Sequence, residues 1–160
     1  MENIDTSQNK SLADLFKEAF WFVAHTFFAV LVLAAVVLGI ALTHPDQDAM
    51  QPKLLCTALA FFVPFIVGFC IAKYQQNSIA RYVWISGLLT FSVVCVWVLD
   101  LPTGPGLCDR CGLVERLYRT FFIINGNSGL MGGDGILIGS WVPLSMISYA
   151  FGAKYGLNDK

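Results

Sequence analysis

The sequence predicts an all-α fold: a polytopic membrane helical bundle of about four transmembrane helices with a short interfacial amphipathic helix. Three observations predict it. Hydrophobic residues make up 56% of the chain and charged residues 13%, against roughly 25% charged in soluble domains. A chain of 160 residues forms one compact unit, and in water it could not hide that much apolar surface. Four stretches approach the length of about 20 apolar residues that a helix needs to cross about 30 Å of hydrocarbon. Polar segments rich in turn formers separate them.

Residues 1–18 are expected to form an N-terminal segment and a helix start. Ser11 is a candidate N-cap, and Asp14 can reach back in the capping-box manner. That helix runs through Lys17 into the first span, 19–42, which is uncharged and has His25 as its one strongly polar side chain. The second span, 54–72, contains Pro64; the third is 82–99; the fourth, 136–153, contains Pro143. Membrane bundles tolerate proline within a helix because neighbours re-satisfy the freed carbonyl, so these prolines predict kinks rather than ends. Lys73–Arg81 is short and polar, which makes the second and third helices antiparallel neighbours. The loop 100–112 holds Pro102, Gly104, Pro105, Gly106 and a Cys-x-x-Cys pair. Over 113–124, Leu113, Leu117 and Phe121 recur every four residues, with Val114, Tyr118 and Phe122 beside them and Glu115, Arg116 and Arg119 mostly opposite. This is a helix lying in the headgroup region or packed across the bundle ends. Gly135 and Gly139 form a small-xxx-small pair that predicts close helix packing. The four-helix domain thus covers 19–154, and 155–160 is a C-terminal tail.

The N-terminus carries Glu2 and Asp5 before the first Lys, unlike the basic start of a secretory signal, and the first apolar run exceeds a signal's apolar core. It is expected to remain as a span. With the N-terminus inside, the inner face holds Lys10, Lys17, Lys73, Arg81, Lys154 and Lys160, and the outer face Lys53, Arg110, Arg116 and Arg119. The bias places both termini in the cytoplasm, in a membrane expected to be a bacterial inner membrane. A net charge of −1 gives no basic field for nucleic acid. The expected partners are the lipid bilayer and other membrane subunits or a second copy.

The five cysteines divide into two groups. Cys56, Cys70 and Cys95 lie in apolar helices, where free cysteine packs as a small hydrophobe. Cys108 and Cys111 flank Asp109 and Arg110 just before a predicted helix, a setting that favours thiolate. The pair suits a structural disulfide on an oxidising face or catalytic thiol exchange. A zinc site needs four ligands, and the histidines, His25 and His44, are remote in sequence, so no metal is expected. Four-helix membrane thiol oxidoreductases that deliver electrons to a quinone share this size and helix count, an analogy of architecture alone. They use a second outer Cys pair, for which this chain offers only Cys56.

His25 is the weak candidate for cofactor binding, since polar groups inside spans are functional suspects. It would ligate haem or a chlorophyll-type pigment; the alternative is a neutral histidine hydrogen-bonded to a neighbouring helix. The glycine-rich stretch 126–135 lacks the Gly-Lys-Ser/Thr ending of a P-loop and the dinucleotide spacing, and reads as a turn or re-entrant loop. No cofactor is required by the sequence. The first functional expectation is a non-catalytic accessory or scaffold subunit of a membrane complex. The alternatives are a thiol-disulfide oxidoreductase using Cys108 and Cys111 and a small oligomeric transporter or channel.

Overall fold

The computed structural model describes residues 11–44, 50–100, 112–122 and 138–158. Among them every element is helical: α1 (Leu12–Thr43), α2 (Met50–Gln75), a 3₁₀ turn (Ser78–Tyr82), α3 (Trp84–Asp100), α4 (Leu113–Phe122) and α5 (Ile138–Asn158). Three segments are long and apolar enough to cross a membrane: Leu12–Thr43, Leu54–Gln75 and Ser78–Leu99. α5 has 21 residues, enough length, yet is not one of these three. Its serines, glycines and Lys154 dilute its apolar character.

α1 begins where its cap predicts. The Ser11 hydroxyl accepts from the Ala13 amide at 3.3 Å, and the helix continues unbroken for 32 residues. At about 1.5 Å per residue it spans about 48 Å, more than the hydrocarbon thickness. α2 and α5 run through Pro64 and Pro143 without ending. α2 stops at Gln76, whose φ of 50° turns the chain, and the Gln76 amide still reaches the Ala72 carbonyl at 2.9 Å. The polar connection to α3 is more than an aqueous loop. The Asn77 side chain caps the 3₁₀ turn through the Ile79 amide at 3.0 Å, and Ala80 and Val83 are fully buried. α5 extends to Asn158, so most of the expected tail 155–160 is helix. Cys108, Cys111 and Gly135 lie outside the described residues.

α5 is the centre of the bundle, packed chiefly on α2 and then on α3, with α1 across it. The α2–α5 seam is built of small residues. On α2, Cys56, Ala60, Pro64, Gly68 and Ala72 are buried at intervals of four, the spacing of one helix face. On α5, Ser148, Gly152 and Gly156 repeat the interval. A Cβ added at Gly68 would collide with the Tyr149 carbonyl, and one at Gly152 with the Phe65 carbonyl. At Gly156 it would come within 2.5 Å of the Phe69 carbonyl. Close approach is found at Gly152 and Gly156, further along α5; of the pair predicted for it, Gly135 lies outside the described residues and Gly139 lies in the first turn of α5. Side-chain hydrogen bonds also join the helices. The Trp141 indole donates to the Thr57 hydroxyl at 2.9 Å, Ser148 donates to the Phe61 carbonyl, and Thr26 and Ser86 link α1 to α3 at 3.0 Å. In lipid such contacts and close packing hold helices together, because apolar side chains gain nothing by leaving lipid for protein.

α4 packs against the bundle through one face. Phe121 is buried, its ring 4.7 Å from that of Phe91 on α3. Leu113, Val114, Tyr118 and Phe122 remain exposed.

Candidate functional site

The helical repeat of α1 turns His25, Ala29, Leu33 and Ile40 inward. Three of these are apolar. The fourth is an imidazole with 4% of its surface exposed, and burying it requires partners. It has one. The His25 Nδ1 lies 2.8 Å from the Tyr149 hydroxyl on α5, and Tyr149 is itself fully buried. The other ring nitrogen, Nε2, is buried with no hydrogen-bond partner among the described residues.

The two nitrogens are linked by tautomerism. If the Tyr149 hydroxyl donates to Nδ1, the ring proton sits on Nε2 and an N–H donor is left without an acceptor. If Nδ1 donates to Tyr149, Nε2 presents a lone pair, the form that ligates a metal.

A cleft of about 430 Å³ between α1 and α2 includes His25 in its wall. The size falls in the range of small-molecule sites, roughly 300–1,000 Å³. Trp21, Phe28 and Tyr74 supply aromatic faces, Ala24 and Ile71 apolar wall, and Cys70 and Gln75 polar groups. The Trp21 ring centroid is 5.8 Å from that of His25. Cys70, expected to be buried packing, is exposed, whereas Cys56 is 2% exposed.

A second, polar cleft of about 670 Å³ adjoins the first, and the two share Trp21 and Gln75 as walls. It is lined by Asp14, Lys17 and Glu18 from the start of α1 and by Asn77 and Ile79 after α2. A polar mouth at the end of the bundle therefore meets a largely aromatic chamber, with the His25–Tyr149 pair in the helix contact behind it. Among the described residues no three His, Cys, Asp or Glu side chains group as metal ligands.

Sequence reasoning singled out His25 and missed Tyr149. The available signal was local: Tyr149 interrupts an apolar segment next to Ser145, Ser148 and Gly152, the composition of a helix interface inside lipid. The Cys108/Cys111 chemistry has no described geometry to support it. No family model, curated protein or solved structure matches the chain.

Proposed function

We propose that this chain is a four-span membrane protein that acts as a non-catalytic, ligand-binding subunit, holding a lipophilic ring compound with a hydrogen-bonding carbonyl, a quinone, between α1 and α2. The carrying observation is that His25, whose buried Nε2 has no hydrogen-bond partner among the described residues, lines this cleft. With Tyr149 donating to Nδ1, Nε2–H offers a donor, and a quinone carbonyl is the apolar-bodied acceptor that satisfies it. Trp21, Phe28 and Tyr74 suit a flat ring, and the described wall residues, which include no carboxylate, suit an uncharged one. α5 forms the fourth span, its polar side chains shielded by the three apolar helices. Lys17, Lys73, Arg81 and Lys154 all belong to one end of the bundle, which supports a cytoplasmic location for both termini.

Quenching of Trp21 fluorescence by a short-chain benzoquinone tests the site. Saturable quenching is expected in the wild type, absent in Trp21→Phe, with affinity lowered roughly tenfold in His25→Phe, the loss of one buried hydrogen bond. Non-saturable quenching, or His25→Phe equal to wild type, overturns the quinone site. A visible absorbance band in the purified protein that His25→Phe removes would replace the quinone by a haem or chlorophyll-type pigment on the same nitrogen. Reporter fusions at the two termini test the span count: four spans put both reporters on one side, three put them on opposite sides.

A further inference from the structure

A third concavity lies away from His25, where α5 meets the 3₁₀ turn and the start of α3. This cleft of about 460 Å³ is walled by Arg81, Tyr82, Trp84, Ile147, Phe151 and Lys154. Its charge is one-sided: among the described residues two cations line it and no carboxylate does. Its remaining wall is aromatic or aliphatic. Arg81 is pre-organised, with its guanidinium donating to the Tyr82 hydroxyl at 2.8 Å and lying 4.8 Å from the Tyr82 ring centroid. That arrangement leaves other N–H groups of the fork to meet an anion. Lys154 is exposed on the last turns of α5. Tyr82 and Trp84 are amphipathic rings of the kind that settle at headgroup depth, which sets the level of the two cations. From Lys154 back to Ile147 the wall descends α5 by about 10 Å, toward the hydrocarbon.

We propose that this cleft binds an anionic phospholipid from the leaflet at this end of the bundle. The phosphate sits between Arg81 and Lys154, and an acyl chain lies along Phe151 and Ile147. Basic pockets between helices at a membrane face take anionic lipid headgroups. A free inorganic anion would use the two cations and leave the apolar wall uncovered, whereas a phospholipid covers both. The inference rests on the membrane location of the chain and is independent of His25, which does not line this cleft.

The test is native mass spectrometry of the full-length protein released from nanodiscs of phosphatidylcholine containing a minor fraction of phosphatidylglycerol. The wild type is expected to retain phosphatidylglycerol in preference to phosphatidylcholine. Each cation is expected to contribute about fivefold, so the double variant Arg81→Gln/Lys154→Gln retains it roughly 25-fold less. Arg81→Lys/Lys154→Arg keeps the charges and is expected to restore much of it. Lys17→Gln, at the polar mouth elsewhere on the same end, is expected to change nothing. The proposal is overturned if the double variant retains phosphatidylglycerol as the wild type does, or if Lys17→Gln lowers retention as much as Lys154→Gln, which would show diffuse attraction. It is also overturned if inorganic phosphate displaces phosphatidylglycerol from the mixed discs, or is itself retained by the protein in pure phosphatidylcholine discs, either of which would show a free-anion site. A melting curve reports whether the double variant folds; if it does not, Lys154→Gln alone carries the test through its fivefold loss.

Discussion

α1 and α5 are opposite kinds of helix. α1 is the longest of the described helices and holds the most apolar window, yet only 11% of that window is buried. It exposes Phe20, Phe27, Leu31, Leu38 and Leu42. α5 is interrupted by proline, serine and glycine and carries too little hydropathy to rank with the three apolar segments. It nevertheless buries Trp141, Ser145, Met146, Ser148, Tyr149, Ala150 and Ala153. In water the order is reversed, with the apolar helix face inside. The difference teaches what the solvent is. When the surroundings are as apolar as leucine, hydrophobicity marks the perimeter, while small size and hydrogen-bonding capacity mark the interior.

The largest expected effect is at the seam that makes α5 central. Gly152→Leu places a side chain where even a Cβ meets the Phe65 carbonyl, a backbone atom that cannot swing aside. The expected loss is about 3 kcal/mol, the upper part of the range for overpacking, read as a drop in detergent-denaturation midpoint. A neutral Gly152→Leu would mean that α5 is not held against α2, and the comparison would fail.

How much of this was legible follows from the same contrast. α1, α2 and α3 announce themselves through length and apolarity, and Ser11 marks the start of α1. The α2–α5 seam was also written in the chain, as Cys56, Ala60, Pro64, Gly68 and Ala72 at intervals of four and as Ser148, Gly152 and Gly156. It is hidden from hydropathy, which gives small residues little weight, and an interval of four between small residues recurs elsewhere, as at Gly135 and Gly139. The His25–Tyr149 pair was beyond reach for another reason. Its members are 124 residues apart, and no local rule says which helix faces which. The chemistry of Cys108 and Cys111 stays where the sequence left it, as an alternative without described geometry.

The second effect concerns the polar core. Tyr149→Phe keeps the ring and removes the hydroxyl, leaving both nitrogens of buried His25 without a partner among the described residues. The expected cost is about 1–2 kcal/mol, measured in the same denaturation assay. Tyr149→Phe also frees the choice of tautomer, so quinone affinity is expected to fall with stability. Should affinity hold while stability falls, Tyr149 is structural glue only, and the donor role assigned to Nε2 loses its support.

The smallest effect lies on the perimeter, at Gly39 of α1. A Cβ there meets nothing within 4 Å, and the residue is exposed. Glycine is worth about 1 kcal/mol less than alanine inside a helix, mostly through backbone freedom in the unfolded chain. A membrane helix retains much of its structure when the bundle comes apart, so only part of that difference appears. Gly39→Ala is therefore expected to be neutral or to stabilise by less than about 1 kcal/mol, and Gly39→Leu to be tolerated where Gly152→Leu is not. Lipid adapts its shape to an added side chain, and a packed helix does not. Were Gly39→Leu as damaging as Gly152→Leu, the face of α1 at Gly39 would have to be covered by a tightly fitted helix of another subunit, and α1 would belong with α5 among the interior helices of a larger assembly.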